Sequence, residues 1–223
     1  MASHLDLEEQ EQLDELKHFW ARWGDLITWV LIVVLGGYAA WMGWQSYQGK
    51  QAAQSAALYD TVERAALGND LALLDRSVSD IKDKFASTTY AQQAALLAAR
   101  VYNDKDRKAD AKAQLTWVVE KASDEGYQAL ARLRLASLLI EDKAYDEARK
   151  QLTAKAPEAF APLMADRLGD LAMLQTQPAE AVQHYKNAWK GFEPNAEYRR
   201  LVAVKLAALG ADPEDAPAVE SKK

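Results

Sequence analysis

Leu26 to Trp44 reads LITWVLIVVLGGYAAWMGW, a run with no Asp, Glu, Lys or Arg. About nineteen residues at the helical rise cover roughly 29 Å, the hydrocarbon thickness of a bilayer. Trp23 and Trp29 stand near one end, and Trp41, Trp44 and Tyr47 near the other. Aromatic belts at the two membrane interfaces take this form. The chain is therefore expected to cross a membrane once, between a short N-terminal arm and a larger C-terminal domain. Two other readings compete. A cleavable signal peptide has a shorter apolar core behind a basic start, whereas this run follows an acidic arm. A buried core helix is the other, and Gly36, Gly37 and Gly43 weigh against it because glycine is commoner in membrane helices.

Small residues four apart in the run, Gly36 with Ala40 and Ala39 with Gly43, would let a second membrane helix approach closely. Ordinary small-residue content is the plainer explanation.

Charge is distributed unevenly. The formal net charge is −6. Residues 1–25 carry Lys17 and Arg22 against Asp6, Glu8, Glu9, Glu11, Asp14, Glu15 and Asp25, and the tail from Ala211 is also acidic. The region between is nearly balanced, with no basic patch of the kind that binds nucleic acid. Lys17 and Arg22 against a lone Lys50 favour a cytoplasmic N-terminus by the positive-inside rule. The chain has no cysteine, which removes disulfides, thiol catalysis, zinc thiolates and a lipid-modified cysteine at once.

Beyond the span, helix-forming Ala, Leu, Gln, Lys, Glu and Arg dominate and strand signals are nearly absent. Short breaks recur at Gly68–Asp70, Ser87–Thr89, Asn103–Asp106, Ser123–Gly126, Glu141–Lys143 and Thr176–Pro178. Several offer Ser, Thr, Asp or Asn as helix N-caps. Leu135-Ala136, Ala148 and Leu152 return 33 residues later as Leu168-Gly169, Ala181 and Tyr185. A period near 34 with this spacing is the tetratricopeptide pattern. In it, small residues sit where paired helices cross and the bulky residue fills the core beside them. Ala98-Ala99, Ala111, Leu115 and Val118 form a looser unit. Lys50–Leu67 with Leu71–Phe85 make a further helix pair without a motif, and Asn195–Leu209 suits a capping helix. The expected fold is all-α: one transmembrane helix, then a tetratricopeptide-like α-solenoid of antiparallel helix pairs. A generic helical bundle is the alternative. The expected parts are an acidic cytoplasmic arm (1–25), the span (26–44), a tetratricopeptide-like periplasmic domain (45–210) and a disordered tail (211–223).

No catalytic constellation is legible. His4, His18 and His184 stand apart, in no metal-ligand spacing, and there is no Gly-rich phosphate loop or GxSxG elbow. We therefore expect no catalytic, cofactor or metal site. Extending the repeat register places Gln93, Leu96, Arg100, Asn103, Leu133, Ser137, Ile140, Leu163, Asp166, Asp170 and Met173 on the face made by the first helix of each pair. That mixture of apolar and polar groups suits a peptide segment, although Leu133 and Leu163 fit a core equally well. The lysine and asparagine set that clamps a terminal carboxylate in some repeat proteins is missing.

The order of parts is also informative. It is joined by local phrases at Phe19–Trp44, QSAALY at 54–59, YAQQAALLA at 90–98, LRLA at 133–136 and ADRLGD at 165–170. Together they resemble the YfgM family, ancillary subunits of the SecYEG translocon, over residues 10–210. The resemblance implies a bacterial inner-membrane protein with its C-terminal domain in the periplasm. It further implies SecYEG and the membrane-anchored chaperone PpiD as partners, and a role in handling emerging proteins. It brings no catalytic residues and no contact residues. A scaffold for envelope assembly or cell division could use the same anchored repeats.

Overall fold

A computed structural model describes residues 7–213, with side chains described from Leu13 onward. Residues 1–6 of the acidic arm, and the expected tail from residue 214, lie outside that range. Among the described residues all regular structure is helical. The chain divides into two compact units, residues 1–51 and 52–223.

In the first unit, helix α1 (Leu7–Leu67) carries the apolar run. It is long and apolar enough to cross a membrane. From Leu26 to Trp44 every side chain but that of Ile27 is exposed, so the run is not a core helix of this chain. A Cβ built at Gly36, Gly37 or Gly43 would meet nothing within 4 Å. Thr28 is accommodated by donating its hydroxyl to the Gly24 carbonyl, 2.7 Å away, the usual way a helical threonine satisfies its side chain.

The second unit begins with the end of α1. It continues through α2 (Leu71–Phe85), α3 (Thr89–Asp104), α4 (Lys108–Lys121), α5 (Glu125–Glu141) and α6 (Tyr145–Leu152). A 3₁₀ turn at Glu158–Phe160 leads to α7 (Ala161–Leu174), α8 (Pro178–Gly191) and α9 (Glu197–Ala208). Three of the expected caps form: Asp70 accepts from Leu73 N, Thr88 from Ala91 N, and Asp124 from Gly126 N and Tyr127 N. Pro162 and Pro178 start α7 and α8, where a missing N–H costs nothing.

The other breaks work differently from the caps expected there. Asn69, Asp106, Lys143, Thr176 and Gly210 each adopt positive φ, between 53° and 68°. The N–H of the next residue then reaches back to close a Schellman turn: Asp70 to Ala65, Arg107 to Tyr102, Ala144 to Leu139, Gln177 to Ala172 and Ala211 to Leu206. No side chain caps α4, α6 or α8; each starts directly off its turn. Successive turn residues are 37, 37, 33 and 34 positions apart.

These turns set a common register. Five residues after the turn come Leu74, Ala111, Ala148 and Ala181, all fully buried. Nine after it come Val78, Leu115, Leu152 and Tyr185, exposed by 3 % or less. Among the described residues there are thus four helix pairs, and α9 takes the position of a further first helix. Gly169 marks a tight crossing: a Cβ there would clash with the Cδ1–Cε1 edge of the Tyr185 ring, with Cζ at 2.9 Å. Ion pairs link neighbouring pairs along the stack. Arg107 meets Asp75 at 3.0 Å, Lys112 meets Asp142 at 2.7 Å, and Arg149 meets Glu180 at 2.6 Å. All are partly exposed, so each contributes little stability.

Two grooves along the first helices of the pairs

Neighbouring first helices leave open grooves between them. One, of about 450 Å³, lies between the end of α1 and α3, with Glu63, Leu67, Leu97 and Asp104 on its walls. The next, of about 410 Å³, lies between α3 and α5, and its walls include Asn103, Arg134, Ser137 and Glu141. Arg100 borders both. Its side chain is 75 % exposed and holds only a loose contact, 3.9 Å, with Asp104 one turn on.

The residues that the register placed on this face separate into groups. Arg100, Asn103 and Ser137 line the α3–α5 groove together. Gln93 is half-buried and donates to the Tyr127 hydroxyl at 2.7 Å, bridging α3 to α5. Leu96 is in the core at 5 % exposure, and Leu133 and Ile140 pack against that core. Leu163 is half-buried and Met173 is exposed. The span residues Gly36, Ala39, Ala40 and Gly43 are exposed.

Asp166 and Asp170 are used internally. Asp166 has no exposed surface. It accepts from the Tyr198 hydroxyl at 2.8 Å and from Lys205 Nζ at 2.7 Å, both on α9. Asp170 accepts from Tyr185 at 2.8 Å and from Lys205 at 2.6 Å. At the register position where α3 and α5 carry Leu96 and Leu133, α7 thus carries a carboxylate that holds α9. Burial, and then the bond to Asp166, pushes the Tyr198 hydroxyl up to about 12; the same two causes, with Asp170 as acceptor, raise that of Tyr185. Both phenols stay protonated donors at neutral pH.

Arg134 was missed by the register argument. The signal was nevertheless present: between Glu125 and Glu141, the charges in an otherwise apolar α5 are Arg132 and Arg134. Arg132 points to the Lys155 carbonyl, whereas Arg134 lines the groove. Among the described residues no carboxylate lies within ion-pair distance of Arg134, and its one hydrogen bond, to the Leu96 carbonyl, is long at 3.4 Å. Burial, and then the like charge of Arg100, pulls its guanidinium below the ordinary value. Among the described residues no three His, Asp or Glu side chains converge as a metal site would require.

The model of a tetratricopeptide repeat-like domain family matches residues 17–211. An ancillary SecYEG translocon subunit of Neisseria gonorrhoeae is 32 % identical over 213 residues, covering 94 % of this chain and 100 % of its own length. Proteins of the same name from Haemophilus influenzae and Escherichia coli are 26 % and 27 % identical, each over 82 % of this chain, and over 89 % and 85 % of their own lengths. The repeat register, the apolar segment of α1 and a match that spans the whole of a relative agree, and the chain belongs to the YfgM family of tetratricopeptide-like ancillary SecYEG translocon subunits.

Proposed function

We propose that this chain is a membrane-anchored, non-enzymatic adaptor of the Sec translocon. The observation that carries this reading is the end-to-end match with a relative named as an ancillary SecYEG translocon subunit. In this reading α1 crosses the bacterial inner membrane once. The acidic arm lies in the cytoplasm, and the helix pairs lie in the periplasm. The mechanism is tethering: one anchor holds a polypeptide-binding face beside the translocon and raises its effective concentration there. The face is that of the first helices, where the α3–α5 groove brings together Arg100, Asn103 and Ser137. Its partners are emerging polypeptides and the membrane-anchored chaperone PpiD. The small-residue face at Gly36, Ala39, Ala40 and Gly43 supplies a contact with a membrane helix of the translocon.

The test is affinity purification of the full chain from mild-detergent membranes, compared with a form lacking residues 1–49. SecYEG subunits and PpiD should copurify with the full chain, and at least one should be lost with the span. Recovery of division or envelope-assembly proteins in their place would transfer the same fold to a scaffold role.

A further inference from the structure

The α3–α5 groove combines three features that together specify an occupant. First, it carries two cations with little internal compensation. Arg134 has no carboxylate partner among the described residues, and Arg100 has only the loose contact with Asp104. The one carboxylate on the same walls, Glu141, is committed to Lys108 at 2.9 Å. Second, Asn103 Oδ1 is buried with no hydrogen-bond partner among the described residues, and its side chain lines the groove. A buried amide oxygen left unpaired costs free energy, and a turn of the Asn103 side chain toward the groove would let an incoming N–H recover it. Third, the floor is apolar, formed by Ala99, Leu115 and Leu138.

We propose that the α3–α5 groove receives an acidic side chain carried by an extended polypeptide segment. Arg100 and Arg134 hold the carboxylate, Asn103 accepts a backbone N–H of the segment, and Ala99, Leu115 and Leu138 take the apolar neighbour. Planar guanidiniums suit a carboxylate because each presents parallel donors to its two oxygens. The field of two like charges, raised by their mutual proximity, is relieved when a negative charge arrives. This inference rests on the reading of the face as polypeptide-binding and adds a chemical preference to it. It also differs from recognition of a chain end, because an acidic side chain can lie anywhere along an emerging segment.

The test uses the full chain in nanodiscs and fluorescence anisotropy of dye-labelled dodecapeptides with blocked ends. One peptide has three glutamates spaced among Ala, Leu and Ser; a second has glutamine at those places; a third is the glutamine peptide with a free C-terminal carboxylate. The glutamate peptide should bind at least tenfold more tightly than the blocked glutamine peptide. That gap should vanish in Arg100→Gln/Arg134→Gln and persist in Lys150→Gln, an exposed cation on α6. The double variant should keep the wild-type circular dichroism, since neither guanidinium holds a buried carboxylate. Equal binding of the two blocked peptides overturns the acidic preference and leaves the polypeptide-binding face standing. Failure of every peptide to bind overturns both. A free-ended glutamine peptide that equals the glutamate peptide assigns the site to chain termini, and a gap that survives in the double variant places the acidic site elsewhere; either result also overturns the proposal.

Discussion

Gly169→Ala isolates the packing argument in a single methyl group. In an isolated helix this change is favourable by about 1 kcal/mol. Here the new Cβ clashes with the edge of the Tyr185 ring, so the ring must leave its position or α7 and α8 must separate. Tyr185 is exposed by only 3 %. Its hydroxyl is bonded to Asp170 at 2.8 Å, and Lys205 lies 5.1 Å from its ring centre. Overpacking of this kind costs about 1–3 kcal/mol, and loss of a hydrogen bond to a charged acceptor adds roughly 1.5–3 kcal/mol. After the propensity gain, the expected net loss is about 1.5–5 kcal/mol for the pair formed by α7 and α8. Hydrogen exchange of the α7 and α8 amides in the full chain reads this directly. The reference is a double-mutant cycle with Tyr185→Leu, in which Gly169→Ala should become neutral or stabilising. Gly36→Ala, whose Cβ meets nothing, should leave exchange unchanged. If Gly169→Ala is neutral in the wild-type background, or equally costly in the Tyr185→Leu background, the crossing is not where the register places it.

Other perturbations follow from the same contacts. Lys205→Met leaves Asp166 buried without its cation and should cost about 3 kcal/mol; limited proteolysis should then cut near α9 faster than in the wild type, and an unchanged rate refutes it. Thr176→Gly removes a β-branched residue from φ 58° and should stabilise the last pair by about 1 kcal/mol, visible as slower exchange in α7. Lys112 lowers the carboxyl of Asp142 below 3.8, and Arg149 lowers that of Glu180 below 4.5. A depressed folded-state value means that their stabilisation is complete at neutral pH, starts to fall as the pH drops past those ordinary values, and is gone below the folded ones. Asp142→Asn and Glu180→Gln should therefore unfold more easily than the wild type at pH 7 and converge with it in acid; a constant gap down to acid pH counts against the pairs.

Legibility in the sequence followed side-chain size. The last two pairs were readable because Ala136, Gly169, Ala148 and Ala181 are small where helices cross. The first pair keeps the same register with Val62 and Leu74 in those places, so no small-residue motif marks it. The breaks at these turns were legible, but their common geometry was not, because four of five positive-φ positions are Asn, Asp, Lys and Thr, and only local backbone bonding makes them equivalent. On the grooved face, Arg100, Asn103 and Ser137 could be placed by spacing alone. Asp166 could not, because its partners Tyr198 and Lys205 lie 32 and 39 residues downstream and meet it only when α9 returns. Arg134 was overlooked because a charged residue between two leucines reads as an ordinary solvent-facing position.

The buried side chains fall into two clusters. One runs from Val62 to Leu171 and contains the apolar floor of the α3–α5 groove; the other gathers Ala172, Ala181, Tyr185, Ala188, Val202 and Leu206. The boundary falls within α7, and the stack is thinnest just before that helix, since α6, whose Ala148 and Leu152 belong to the first cluster, has eight residues where α4 and α8 have fourteen. In a linear array each unit is held mainly by its neighbours, so a short helix is a weak coupling. The C-terminal pair and α9 should then open as one cooperative block while the groove keeps its shape. Heat or denaturant would melt this molecule in two steps. Damage from α7 onward would shorten its lifetime in the cell before it altered what the groove recognises.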